Sequence, residues 1–120
     1  MDKLVGDWVW VSSKGGFTGK AVYKPKPGIE TIYRFTRNKE WSTCTNGICK
    51  PFTLFTLGQE RSTLTGNEQL ILTLRRRVPL ALPDTGTHIL LDRYLVREIS
   101  DSLRIDQDGP DGFGELYSRK

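Results

Sequence analysis

Few side chains in this chain are of a kind that does chemistry, and their spacing limits what that chemistry could be. His88 is the sole histidine, so a Ser-His-Asp or Cys-His device would have to use it, and no nucleophile motif lies near it. It follows a glycine turn at the start of a β-type run, the setting of an ordinary exposed histidine. Asp106, Asp108 and Asp111 could offer oxygens to a cation. The EF-hand spacing is absent, however, and Gly109, Pro110 and Gly112 around them read as a plain turn. Arg75-Arg76-Arg77 could meet a nucleic-acid backbone. Alternation divides that run, sending Arg76 to one face and its neighbours to the other, and no aromatic motif of the common RNA-binding sheets is present. The residues predict no enzyme, no catalytic or metal-ligating set, no cofactor and no nucleic-acid partner.

The two cysteines bracket Cys44-Thr45-Asn46-Gly47-Ile48-Cys49. Asn-Gly between β-type flanks is the strongest short-range signal for a two-residue type I′ hairpin. Such a hairpin sets Cys44 opposite Cys49 as a non-hydrogen-bonded pair, close enough for a cross-strand disulfide. Two buried thiols are the alternative, and a metal site lacks further soft ligands nearby. A disulfide points to an oxidising, extracytoplasmic setting.

The elements that must carry these residues are strands. Trp8 and Trp10 share one face of an opening strand, with Val9 and Val11 on the other, because side chains alternate with period two. Ile29 to Arg37, Glu40 to Thr45, Ile48 to Leu57, Gln69 to Arg77, His88 to Ile99, Ser102 to Ile105 and Phe113 to Arg119 also read as strands, with a looser run at 17–24. Pro25-Lys26-Pro27-Gly28 forbids regular pairing, and Pro51 marks a bulge or free edge within its run. Residues 58–67 read as a polar loop with a turn of helix, and 78–87 as a longer connection. No segment has the spacing of an amphipathic helix. The expectation is an all-β, antiparallel up-and-down barrel of about eight strands, since closure removes exposed sheet edges.

At 120 residues the chain is long enough for one domain over 1–120. A net charge of +4 is mild and serves solubility as readily as an acidic partner. No apolar run approaches the ~18 residues of a membrane-spanning helix. Met1-Asp2-Lys3 leads into the first strand without a secretory signal, which fits a cytosolic chain or an exported one whose signal has been removed.

Two segments carry a family likeness. Leu4-x-Gly6-x-Trp8-x-Trp10-Val11-Ser12-Ser13-x-Gly15-Gly16-Phe17 resembles the amino terminus of bacterial, Bacteroidetes-type lipocalin-like domains of the calycin superfamily. Asp101-Ser102-Leu103-x-Ile105, with Asp111-Gly112-Phe113, Tyr117 and Arg119, resembles the ending of the same group. The resemblance implies that Trp8, two residues after Gly6, packs at the closed end of the barrel under Arg119, where a guanidinium over an indole gains cation–π attraction. It also implies export, to the periplasm or cell surface, with a lipid anchor on a segment outside these residues. The chain departs from the larger family in lacking a Thr-Asp-Tyr motif and a long helix after the barrel. Trp10, Tyr23, Tyr33, Phe35, Phe52, Leu54, Leu72, Arg76, Tyr94 and Tyr117 are the candidate lining of a narrow pocket, with Arg76 for an acidic head group. The expected function is non-catalytic binding of a small apolar or amphipathic ligand. The alternative is a solid barrel that engages a protein or polysaccharide through its loops.

Overall fold

Alternating apolar residues and frequent turn residues build ten strands in the computed structural model, which describes residues 3–15, 21–63, 65–79, 87–108 and 112–120. They are β1 (Gly6–Gly15), β2 (Ala21–Tyr23), β3 (Thr31–Phe35), β4 (Glu40–Thr45), β5 (Ile48–Cys49), β6 (Thr53–Arg61), β7 (Glu68–Pro79), β8 (Thr87–Ile99), β9 (Ser102–Gln107) and β10 (Phe113–Arg119). Eight of them close a barrel in the order β1-β3-β4-β6-β7-β8-β9-β10, with β10 pairing back onto β1 and every contact antiparallel.

The two remaining strands are fragments of interrupted legs. β2 pairs with the upper part of β1 on the side where β3 pairs with its lower part, and residues 25–28 part them. β5 and β6 share β4 in the same way, and Pro51 lies in the gap. Proline has no N–H to give a ladder, so both breaks fall where the chain cannot pair.

The β4–β5 turn has the expected type I′ form, with φ of 49° at Asn46 and 83° at Gly47. Cys44 and Cys49 face each other with Cα atoms 3.9 Å apart and are joined as a disulfide. Along β1 the register shifts between Trp10 and Ser12. This bulge shifts the alternation after Val11, so that Ser13 and not Ser12 comes inward, opposite Glu115.

Two expectations need correction. Gly58 does not end a strand: it pairs with Ile71, and β6 continues to Arg61. A glycine weakens a strand without stopping it when its partner supplies the ladder. No helix occurs among the described residues. The chain after β6 instead lies against β8 and β9, where Ser62 Oγ donates to Asp108 Oδ1 at 2.7 Å and Thr63 N to Oδ2 at 3.0 Å. Ile71 and Leu95, paired on the outer face beneath this segment, are fully buried.

The lower barrel is packed solid. Trp8, Phe35, Phe55, Leu72 and Leu103 are all 2% exposed or less and belong to one cluster. Phe35 and Phe55 meet edge to face at 5.1 Å. At the other end β7 and β8 run on past β6 and β9, projecting as a two-stranded ribbon with Ile89 and Leu91 exposed.

Candidate functional site

The base is closed by the group that the opening and closing strands bring together. Gly6 takes φ +130°, and a Cβ there would stand 3.4 Å from Arg119 Nη1, so glycine leaves room for the guanidinium. Trp8 pairs with Arg119 across β1 and β10. The guanidinium lies 4.2 Å from the centre of the indole, and Trp8 Nε1 donates to the Leu4 carbonyl at 2.9 Å. Arg119 donates to the carbonyls of Lys3, Val5 and Ser100. The indole N–H and both terminal guanidinium nitrogens are therefore engaged, as a structural plug requires.

The mouth is built differently. Alternation along β3, β7, β8 and β10 turns Tyr33, Arg76, Asp92, Tyr94, Glu115 and Tyr117 toward the same interior end. The rings of Tyr33 and Tyr117 lie 4.8 Å apart, and Tyr33 also touches Trp41 at 5.5 Å. Tyr117 donates to Glu115 Oε2 at 2.6 Å. Arg76 forks onto Asp92 at 3.0 and 3.4 Å at the rim. Tyr94 is 7% exposed, yet its hydroxyl makes no hydrogen bond among the described residues. That hydroxyl is the accessible edge of the ring; the buried side-chain nitrogen or oxygen without a partner among the described residues is Arg93 Nε. Beside Tyr94, where β8 outruns β9, a cleft of about 250 Å³ is lined by Leu91, Asp92, Arg93, Tyr94, Gln107, Asp108 and Gly112.

Burial sets the electrostatics of this cluster. Desolvation pushes the Glu115 carboxyl above the usual carboxylate range, against the hydrogen bond from Tyr117, and the Asp92 charge pushes the same way. Desolvation, then the Glu115 charge, raises the Tyr33 and Tyr94 phenols. Burial raises Tyr117 well above its ordinary value, with Tyr33 and Glu115 adding to it.

The candidate lining residues divide into three groups. Tyr33, Tyr94 and Tyr117 come together with Arg76 at the mouth, and Trp10 packs just beneath them, its Nε1 donating to Ser13 Oγ at 2.9 Å. Phe35 and Leu72 lie in the packed core and cannot line an open pocket. Tyr23 is 55% exposed and meets Phe113 at 5.7 Å. Phe52 and Leu54 lie outside the barrel, 42% and 48% exposed, because Phe55 and Leu57 take the inward positions of β6. Glu115 and Asp92 were absent from that set, although each stands two residues before a lining tyrosine and so shares its face.

Of the other residues considered, Asp106 is bonded to Arg97 at 2.7 Å and Asp108 to the Ser62 segment, while Asp111 lies outside the described residues. His88 falls in β8, but its side chain is not among those described. Arg75 is exposed on the outer face. No helix among the described residues is long and apolar enough to cross a membrane.

The fold and site define a closed eight-stranded antiparallel barrel with a sealed base and a phenol- and carboxylate-lined mouth. No protein-family model, curated protein or solved structure matches the chain.

Proposed function

We propose that the protein is a non-catalytic binding barrel that holds a small amphipathic ligand at its mouth. The Tyr94 hydroxyl carries this reading: it is the accessible polar end of a nearly buried ring, has no hydrogen-bond partner among the described residues, and lies among the phenols and carboxylates of the mouth. A ligand that displaced water from it would gain a directional hydrogen bond beside apolar ring surface. The packed lower barrel argues for a compact ligand seated high, not a long chain threaded to the base. The cleft is also smaller than the ~300–1,000 Å³ of drug-sized sites.

The Cys44–Cys49 disulfide supports an extracytoplasmic setting for this binding. The Gly6–Trp8–Arg119 base supports a place among lipocalin-like barrels. A reading as an interaction module draws on the exposed Ile89 and Leu91 of the β7–β8 ribbon.

Native mass spectrometry of gently purified protein, compared with its denatured mass, tests the binding reading. The expected result is an added mass that denaturation releases and that Tyr94→Phe protein retains less well. A protein that stays bare after incubation with small amphiphiles would overturn it and favour the ribbon as the working surface.

A further inference from the structure

Resting on that reading, we infer that the mouth selects a small organic cation, an ammonium group on a compact aromatic or apolar body. Among the described residues the inward wall carries two carboxylates, Glu115 and Asp92, against one guanidinium, Arg76, while Arg93 beside the cleft faces Glu60 and Asp108. Arg76 is already engaged: both of its bonds go to Asp92, and the pair sits at the rim with 53% and 32% of the two side chains exposed. That leaves Glu115 as the unbalanced charge, set deeper on β10.

Glu115 is also only half engaged. Oε2 accepts from Tyr117, while Oε1 has no hydrogen-bond partner among the described residues. The neighbours that β1 and β9 pair with it, Ser13 and Ile105, bring no charge. A free carboxylate oxygen and the Tyr94 hydroxyl are both able to accept, and an ammonium group has several N–H donors to give. Charge-assisted bonds of this kind are about twice as strong as neutral ones. Three phenol rings around the site add cation–π attraction once water is excluded. An anionic ligand meets the opposite situation. Its natural partner, Arg76, would have to leave Asp92, and Glu115 would repel it.

Three probes with one body and different heads separate charge selection from binding itself: 2-phenylethylammonium, 2-phenylethanol and 3-phenylpropanoate. Each is titrated into the folded protein at neutral pH and followed by calorimetry and by NMR shifts of the tyrosine rings. The ammonium is expected to bind about tenfold or more tighter than the alcohol, a difference of ~1.4 kcal/mol, and the carboxylate weakest. Glu115→Gln is expected to bring the ammonium's affinity down to within about twofold of the alcohol's in the same variant. Arg76→Gln, which frees Asp92, is expected to tighten the ammonium further.

If the alcohol or the carboxylate binds at the tyrosines as tightly as the ammonium, the charge assignment falls and the binding seat stands. If none of the three moves the tyrosine resonances at millimolar concentration, both fall. An ammonium preference that survives Glu115→Gln would also overturn the assignment.

Discussion

At the base of the barrel Arg119 lies over an indole and donates to three main-chain carbonyls; at the mouth Arg76 faces a carboxylate at the rim while a deeper carboxylate and the accessible edge of a phenol keep unfilled hydrogen-bonding capacity. Both ends draw on the same strands, β1 and β10, only a few residues apart. The difference lies in what polar atoms are left over. A closed end satisfies every group it buries, so it adds stability and offers nothing to a visitor. An end that leaves polar atoms at accessible edges among apolar rings keeps directional contacts for something else.

Breaking the base should have the largest effect. Trp8→Ala removes a fully buried indole and is expected to cost about 3–5 kcal/mol in chemical denaturation. A loss below 1 kcal/mol would mean that the plug contributes little. Changing the mouth should act in the opposite direction and less strongly. The folded state raises the Glu115 carboxyl above its unfolded value, so its contribution to stability is present in acid and lost as pH rises through the raised value. The groups facing it are Asp92, Tyr33, Tyr94, Tyr117 and Arg76. Glu115→Gln should therefore stabilise the protein at neutral pH, by on the order of 1 kcal/mol, with the gain fading below the carboxylate range. A variant less stable than the parent at pH 7 would contradict that account.

The smallest effect belongs to neither end and provides the control. Arg34 forks onto Asp7 on the outer wall at 2.8 and 3.0 Å, and this hydrogen bond holds the Asp7 carboxyl below its usual range. The contribution is present above the ordinary carboxylate pKa and is lost as pH falls through the lowered one. Both side chains are partly exposed, so Arg34→Ala should cost less than about 1 kcal/mol. Its signature is a flatter acid limb of the stability–pH curve, and a larger cost at pH 7 would show a buried role.

The base, the hairpin and the strand count are legible in the sequence because each rests on local chemistry. Asn46-Gly47 dictates its turn, the prolines dictate the breaks, and Trp8 with Trp10 declares one face of β1. The mouth is harder to read. Residues 52–57 run Phe-Thr-Leu-Phe-Thr-Leu, placing apolar side chains on both faces, so alternation alone cannot choose between Leu54 and Phe55. The β6 pairing with Leu74 settles it. Glu115 and Asp92 are obscured for another reason. An apolar count excludes charged residues from an interior, and only the shared face with Tyr117 and Tyr94 reveals them. Gly58 likewise reads as a breaker until its cross-strand partner is known.

The two interrupted legs flank β4 on either side, and this bears on how the wall gives way. β4 has β3 along most of its length, but on its other edge only Glu40 and Trp41 pair with β6, and Cys44 and Thr45 with β5. A seam with so few ladder bonds is where amide hydrogens exchange first and where sub-global opening begins. The disulfide fastens the upper end of that seam, so its effect is concentrated there and not spread over the whole molecule. In a reducing compartment the barrel would keep its fold but lose its clasp, and the wall beside β4 would become the first part of the protein to breathe.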